Sequence, residues 1–262
     1  MSTKLLSFDI GTRHLAYCGL EQQTFQKKDV DDLLEKVDIL DWKVVDLLSM
    51  KGTPYDDSAI YIVCKNWKIS QIKDWLKNKN LSTDGKKIEL VSRIHKQLKK
   101  ENVPKFKSND LHLISTMIFS FLDANPGFLE YDIVVLENQP CLTNPIMKSV
   151  QMIIYSYFIY KGVWLNHLSN TKTQKILFTS ATNKLKLFNK CQGGDDLDKK
   201  LTYKLRKELA IKNTHFIIKE KKELYEKWIV LFEKSCKKEK DDLSDCFLQG
   251  LYTIYQSQGY IV

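Results

Sequence analysis

The sequence predicts an α/β fold in which helices flank a mixed five-stranded sheet and a small helical module is inserted into the chain. Three observations predict this fold. In Leu5–Tyr17 an apolar run ends at Asp9, Gly11 follows, and a second apolar run begins, which is typical of two strands joined by a tight turn. Tyr131–Glu137 is apolar on both faces, the pattern of a central buried strand. Between these stretches, residues 66–107 are basic and have helical periodicity.

Periodicity and the residues that interrupt it predict the other elements. They are a strand at Val37–Leu48, a loop at Lys51–Asp57, apolar helices at Leu111–Leu122 and Asn144–Tyr160, a short strand at Ile176–Thr179, a mobile surface loop at Cys191–Lys199, charged helices within Leu201–Lys238 and a last helix at Asp242–Gln256. We expect the charged stretch to be two helices that meet near Asn213.

The composition of the chain limits the classes of protein to which it can belong. A chain of 262 residues with 43% hydrophobic residues can bury one large domain, or one domain plus a small module. Apolar runs are too short to span a membrane, and we expect no targeting segment before the first strand. The six cysteines form no CxxC pair, so we expect reduced thiols in the cytosol or nucleus.

The positive charge is concentrated in one segment. Lys65–Lys107 holds thirteen Lys and Arg residues against four acids, so it accounts for the whole net charge of +9. A local basic block indicates a polyanionic partner, above all nucleic acid. A solvated lysine face is the alternative interpretation.

Two amphipathic helices are predicted in this basic segment. In Ile69–Asn78, Ser70 is the candidate N-cap, and the residues expected to share an apolar face are Ile72, Trp75 and Leu76. In Lys86–Lys100 the corresponding residues are Ile88, Val91, Ile94 and Leu98.

The pair of helices resembles the SAP motif, a small helix–loop–helix that binds DNA. Matching residues include Trp75-Leu76, Leu81 and Gly85-Lys86-Lys87, while Asn80 stands where the motif has glycine, and asparagine tolerates a left-handed backbone. An ordinary basic helical hairpin is the alternative. The candidate DNA-binding residues are Lys73, Lys77, Lys86, Lys87, Arg93 and Lys96. The predicted domain organisation is residues 1–62 and 108–262 for the sheet domain, with 66–107 inserted.

Four carboxylates are placed where they can converge. Asp9 and Glu137 each end a predicted strand, and Asp242 and Asp245, three residues apart, share a face of the first turn of the last helix. If the first strand lies beside the fourth, all four meet at one edge of the sheet. Clustered carboxylates repel one another, and hard divalent cations such as Mg²⁺ or Mn²⁺ relieve that repulsion. A turn aspartate and acids favoured by a helix N-terminus are the structural alternatives.

The motifs FDIG, LENQP and DDLSD occur in the order found in Holliday-junction resolvases of the RuvC type, within the RNase H-like superfamily. The chain most resembles the poxvirus and yeast mitochondrial resolvases. The resemblance implies that Asp9, Glu137, Asp242 and Asp245 are catalytic ligands of two Mg²⁺ or Mn²⁺ ions, and that Asp241 is exposed. It also implies a basic residue near the scissile phosphate, for which Lys184 is the candidate.

The same resemblance implies a homodimer that cuts four-way DNA junctions and leaves 5′-phosphate nicks. We expect it to use no small-molecule cofactor and not to associate with a membrane. A virus-encoded enzyme of the host cytoplasm is the expected setting, with mitochondrial and nuclear locations as alternatives. Other functions remain open: an RNase H, a flap or branched-DNA endonuclease, or a non-catalytic DNA-binding protein. An actin-like ATPase is disfavoured, because the chain is too short for two such halves and we find no second phosphate loop.

Overall fold

A five-stranded mixed sheet is the centre of the computed structural model, which describes residues 2–23, 37–49, 60–61, 64–101, 109–166, 171–186 and 202–257. The strands are β1 (Thr3–Asp9), β2 (His14–Gln22), β3 (Val37–Asp46), β4 (Ile133–Glu137) and β5 (Lys175–Thr179). The predicted loops at Lys51–Asp57 and Cys191–Lys199 lie outside the described residues.

The strand order is β3-β2-β1-β4-β5. β1 and β2 are antiparallel, as are β2 and β3, whereas β4 runs parallel to both β1 and β5. This is the arrangement of an RNase H-like fold, as predicted. The prediction that the first strand lies beside the fourth is therefore confirmed.

Seven α-helices are described. They are α1 (Ile69–Asn78), α2 (Lys87–Lys100), α3 (Leu111–Asp123), α4 (Pro145–Tyr157), α5 (Tyr203–Glu220), α6 (Lys222–Lys234) and α7 (Lys237–Ser257). A π-helical segment, Phe158–Trp164, continues α4, and short 3₁₀ turns lie at Leu47–Ser49, Pro126–Glu130 and Ala181–Leu185. None of the described helices has the length and apolarity needed to cross a membrane.

The alternation of side chains along each strand divides the core into two layers. Leu6 and Phe8 of β1 pack with α3 and α4 on one face of the sheet. Leu5 of β1 and Val135 of β4 pack with α5, α6 and α7 on the other. Asp9 and Glu137 follow Leu5 and Val135 by an even number of residues, so their side chains belong to the face that α7 covers.

The inserted helices α1 and α2 have a small core of their own, in which Ile72 and Leu76 of α1 meet Ile94 and Leu98 of α2. Leu90, not Ile88, completes this core. The side chain of Ile88 is 83% exposed, so its predicted place on the buried face was wrong.

The ends of α1 also differ in part from the prediction. Lys68 is the N-cap of α1, and its backbone N–H donates to the side chain of Gln71 at 2.8 Å; the prediction of Ser70 was wrong. Asn80, just after α1, has a φ of 54°, which confirms the left-handed backbone that the motif requires there.

Two boundaries in the last third of the chain differ from the prediction. The charged helices meet at Lys221 instead of near Asn213. α7 begins at Lys237, five residues before the predicted start. The side chain of Glu239 accepts a hydrogen bond from the backbone N–H of Cys236 at 2.9 Å, and this contact caps the helix at the earlier position. Asp242 and Asp245 therefore lie beyond the first turn, where the helix dipole gives little reason for acidic residues.

Candidate metal-binding site

Three carboxylates converge at one edge of the sheet. β1 and β4 are parallel, and Phe8 is paired with Leu136. The next residues, Asp9 and Glu137, therefore end the two strands side by side. Asp245 of α7 joins them, and one carboxylate oxygen from each of these three residues lies within 4.8 Å of the others. The predicted convergence is thus present in the structure for Asp9, Glu137 and Asp245.

The close approach of α7 to the sheet places Asp245 in this cluster. Gly250 faces β1 and β2, and a Cβ atom there would lie 2.8 Å from Leu20 Cδ1 and 3.2 Å from Ser7 Cβ. One turn away from Asp245, the side-chain amide of Gln249 donates to the carbonyl oxygen of Phe8 at 3.1 Å. These contacts fix the height of α7 above the strand that ends in Asp9.

Lys184 lies among the three carboxylates. It comes from the 3₁₀ turn that follows β5 and is only 4% exposed. Its Nζ atom is 2.5 Å from Glu137 Oε2, 3.0 Å from Asp245 Oδ2 and 4.0 Å from Asp9 Oδ1. Burial alone would lower the pKa of Lys184, but these carboxylates outweigh burial and raise the pKa well above its usual value, so the ammonium stays charged.

One lysine does not neutralise the cluster. Burial raises the pKa of Asp9 well above its usual value; Lys184 opposes that rise, and the neighbouring acids, Asp245 and Glu137 first, add to it. The negative charge of the carboxylates therefore exceeds the positive charge of Lys184, so the site can accommodate further cations. A donor set made only of carboxylate oxygens suits hard divalent ions such as Mg²⁺ or Mn²⁺, so the residues present fit such an ion.

Asp242 lines the same pocket but is not one of the three converging carboxylates. It is half-buried, and burial, followed by the negative charge of Asp241, raises its pKa to about 6. Of the four predicted ligands, Asp242 is the one that lies outside the converging group.

The prediction that Asp241 is exposed was wrong. Asp241 is 6% exposed and forms an ion pair with Lys207 of α5. The lysine supplies the partner that a buried carboxylate requires, and the packing of α5 on α7 brings the two residues together.

Several pocket residues were not predicted from the sequence. Tyr203 and Lys207 line the pocket from α5, and no local motif marks them because they reach it only through helix packing. Gln139 also lines it; its side-chain amide donates to Glu137 Oε1 at 3.3 Å and its backbone N–H to Gln151 Oε1 at 2.9 Å. Its place in LENQP was the available signal.

The candidate DNA-binding residues of the inserted module divide into two groups. Lys73, Lys77, Lys86 and Lys96 are exposed. Arg93 is half-buried, and its Nη1 atom donates to the backbone carbonyl oxygens of Ser82 and Asp84 at 2.7 and 3.0 Å, so it holds the loop between α1 and α2. Lys87 is half-buried.

Comparison with known proteins identifies this module. Residues 64–99 match the SAP domain family. They include both inserted helices, so the predicted SAP-like module is confirmed as a SAP domain. Over its whole length the chain is similar to an uncharacterised protein of Acanthamoeba polyphaga mimivirus, with 25% identity over 319 aligned residues that cover 95% of this chain and 74% of the viral protein.

Three solved resolvase structures are similar to the chain. The yeast mitochondrial Holliday junction resolvase Ydc2 has a TM-score of 0.48 and 13% identity, covering 99% of this chain and 86% of that protein. Fowlpox virus resolvase, solved with Holliday junction DNA, has a TM-score of 0.38 and 16% identity, with coverages of 98% and 99%. RuvC of Thermus thermophilus has a TM-score of 0.38 and 10% identity, with coverages of 99% and 97%.

Proposed function

We propose that this protein is a divalent-metal-dependent endonuclease that resolves four-way DNA junctions by paired phosphodiester hydrolysis, leaving 5′-phosphate nicks. The observation that carries the proposal is the convergence of Asp9, Glu137 and Asp245 at one edge of an RNase H-like sheet. Lys184 balances only part of the negative charge of this cluster, and the remainder is costly to maintain unless a further cation binds there.

The chain's own residues have distinct roles in this proposal. Asp9, Glu137 and Asp245, with Asp242 from the same pocket, would hold two Mg²⁺ or Mn²⁺ ions. Bound there, such ions would supply Lewis acidity to activate a water molecule and stabilise the leaving 3′ oxygen. Lys184 keeps the carboxylates together by neutralising part of their charge, and we assign it a contact with the scissile phosphate.

The SAP domain would bind the duplex arms of the junction. Its exposed lysines contact phosphates, which adds affinity and carries little sequence information. We accordingly divide the chain into a nuclease domain at residues 1–62 and 108–262 and an inserted DNA-binding module at 66–107.

Cutting two opposed strands requires two active sites, so the proposal includes a homodimer. α4 and the π-helical segment after it expose a row of large apolar side chains, a surface suited to association with a second copy. These residues are Met152, Ile159, Tyr160, Val163 and Trp164. The mimivirus relative supports a viral origin, and we place the enzyme in the host cytoplasm.

The decisive experiment compares a labelled four-way junction with a linear duplex of the same sequence, in Mg²⁺ and in EDTA. We expect symmetric nicks in the junction alone, lost in EDTA. Glu137→Gln should reduce cleavage by at least about 100-fold while binding persists, because it removes a charged ligand and keeps the shape of the side chain. Glu130→Gln, at an acid outside the pocket, is the matched control and should cut normally.

Two results would contradict the proposal. Equal cutting of the junction and the linear duplex, or preferred cutting of an RNA–DNA hybrid, would assign the site to another nuclease class. Junction binding without any metal-dependent cleavage would indicate a DNA-binding protein.

A further inference from the structure

A basic groove lies between α5 and α7, beside the carboxylate pocket. Its volume is about 500 Å³, and it continues into a shallower cavity along the same two helices. Six lysines line the groove and its continuation, largely with the apolar stems of their side chains, against two acidic residues, Glu208 and Asp241. The lysines are Lys204, Lys207, Lys212, Lys237, Lys238 and Lys240.

The two acidic residues are already engaged by lysines of the groove itself. Asp241 forms an ion pair with Lys207, and Glu208 Oε1 lies 3.8 Å from Lys237 Nζ. Within the described parts of the chain, the other four lysines have no carboxylate within 4.0 Å. Two of them have uncharged partners: Lys238 Nζ lies 3.3 Å from His14 Nδ1, and Lys240 Nζ lies 5.7 Å from the ring centroid of Phe232. The groove therefore carries positive charge in excess of what its own acids balance, which favours an anionic occupant.

The groove borders the carboxylate pocket. Tyr203, Lys207 and Asp241 line both cavities. Asp241 is buried between them: its Oδ2 atom accepts from Lys207, while its Oδ1 atom has no hydrogen-bond partner among the described residues. A polymeric anion with one phosphodiester in the carboxylate pocket would meet this groove next to that pocket, past the Lys207–Asp241 ion pair.

The junction of the two cavities also carries an exposed aromatic ring. Tyr203 is the first residue of α5 and is 74% exposed. Its ring centroid lies 5.0 Å from Lys207 Nζ. An aromatic face beside a cation is the combination that binds an unpaired base and its phosphate in proteins that hold single-stranded nucleic acid.

We propose that the groove between α5 and α7 binds the single DNA strand that runs on from the cleaved phosphodiester. Lys204, Lys212 and Lys238 contact its phosphates, and Tyr203 stacks on a base next to the cleavage point. Lys207, held by Asp241, stands where the strand passes from the pocket into the groove. The proposal rests on the proposed nuclease function, since it names the path of that enzyme's substrate.

The test measures binding by the full-length protein in EDTA, so that cleavage does not interfere. The probes are a fluorescent single-stranded 20-mer and a four-way junction, titrated at several salt concentrations. The triple variant Lys204→Gln/Lys212→Gln/Lys238→Gln should bind the single strand roughly tenfold more weakly, with a log–log salt slope shallower by about 0.7 for each phosphate that the protein no longer neutralises. The matched control, Lys172→Gln/Lys175→Gln/Lys219→Gln, removes the same charge elsewhere and should match wild type.

A second measurement locates the strand. A benzoylphenylalanine cross-linker at position 212, in the groove, should capture the labelled 20-mer, whereas the same group at position 219 on α5 should not. Tyr203→Leu should weaken binding, and Tyr203→Phe should retain it because the ring is kept.

Equal binding by the groove and control variants, or equal cross-linking at both positions, would overturn the groove proposal even if wild type resolves junctions. Weakened binding and groove-specific cross-linking in a protein that cuts no junction would support the groove and contradict the proposed nuclease function. An acidic peptide that competes for the groove while the 20-mer does not bind there would assign it to a protein partner and overturn the proposal.

Discussion

The ammonium group of Lys184 lies among the three carboxylates of the site. It is in contact with Glu137 and Asp245 and lies 4.0 Å from Asp9 Oδ1, so it supplies positive charge where three carboxylates would otherwise repel one another. A divalent ion bound by the same oxygens would supply charge of the same sign. Lys184 and such an ion would therefore compete for these oxygens.

Lys184→Met should destabilise the metal-free protein by about 3 kcal/mol, the lower end of the cost of breaking a buried ion pair, because Asp245 is partly exposed. Saturating Mg²⁺ should restore most of that stability. Urea unfolding in EDTA and in Mg²⁺ measures both, with the exposed Lys186→Met as control. A decrease of the same size in both conditions would show that the lysine and the ion do not share the site.

A second ion pair ties the turn after Asp9 to the edge of the sheet. Arg13 Nη2 lies 2.5 Å from Asp46 Oδ2, and the backbone N–H of Leu47 donates to the carbonyl oxygen of Arg13 at 2.8 Å. Burial alone would raise the pKa of Asp46, but the hydrogen bonds from Arg13 outweigh it and lower the pKa below its usual value.

This pair gives a stability that depends on pH. Since the pKa of Asp46 is lower in the folded chain than in the unfolded one, its contribution is present above the unfolded value of about 4 and is lost as the pH falls through the folded value. Asp46→Asn should cost about 1 kcal/mol of unfolding free energy at pH 7, and that cost should disappear as the pH falls through the folded pKa of Asp46. Additivity of Asp46→Asn with Arg13→Gln at pH 7 would contradict the coupling.

At the scale of elements, the position of α7 depends on the absence of a side chain at Gly250. Gly250→Val would place new atoms against Leu20 and Ser7, lift the helix from the sheet and move Asp245 away from Asp9. We expect a loss of about 1–3 kcal/mol in stability and weaker Mn²⁺ binding by calorimetry. Gln256→Val, at an exposed position of α7, controls for the effect of valine on the helix itself; an equal loss there would refute the packing argument.

Elements whose pattern is local were predictable from the sequence. Burial on both faces identified β4, and the carboxylate that ends it identified one member of the carboxylate cluster, because strand periodicity fixes where a side chain points. The start of α7 was missed because capping by Glu239 outweighs the charges of its first turn. The burial of Asp241 was missed because Lys207 lies 34 residues earlier in the chain and meets it only when α5 packs on α7.

The whole molecule joins an α/β sheet domain to a SAP domain that carries most of the excess positive charge. The SAP domain has its own small core, including Ile72 and Leu90, so charge can be removed from its surface without unpacking the sheet domain. Under the proposed function, DNA binding and hydrolysis are therefore separable.

Deleting residues 66–107 should weaken binding to a four-way junction and flatten its salt dependence, while Mg²⁺-dependent cleavage survives at high enzyme concentration. Lys73→Gln/Lys77→Gln/Lys96→Gln, which keeps the domain folded, should lower the salt slope by up to about 2.7. Filter binding between 50 and 200 mM salt measures the slope. Unchanged affinity in both variants would assign DNA binding elsewhere.

The order of the strands along the chain has a consequence for synthesis on the ribosome. β1 supplies Asp9 early, β4 supplies Glu137 near the middle, and Asp245 arrives on α7 after every strand of the sheet has been made. A nascent chain that ends before α7 has the five described strands and the SAP domain but lacks the third carboxylate of the cluster. Translation itself thus delays completion of the cluster until the protein is nearly finished, so under the proposed function products of interrupted synthesis would not cut DNA.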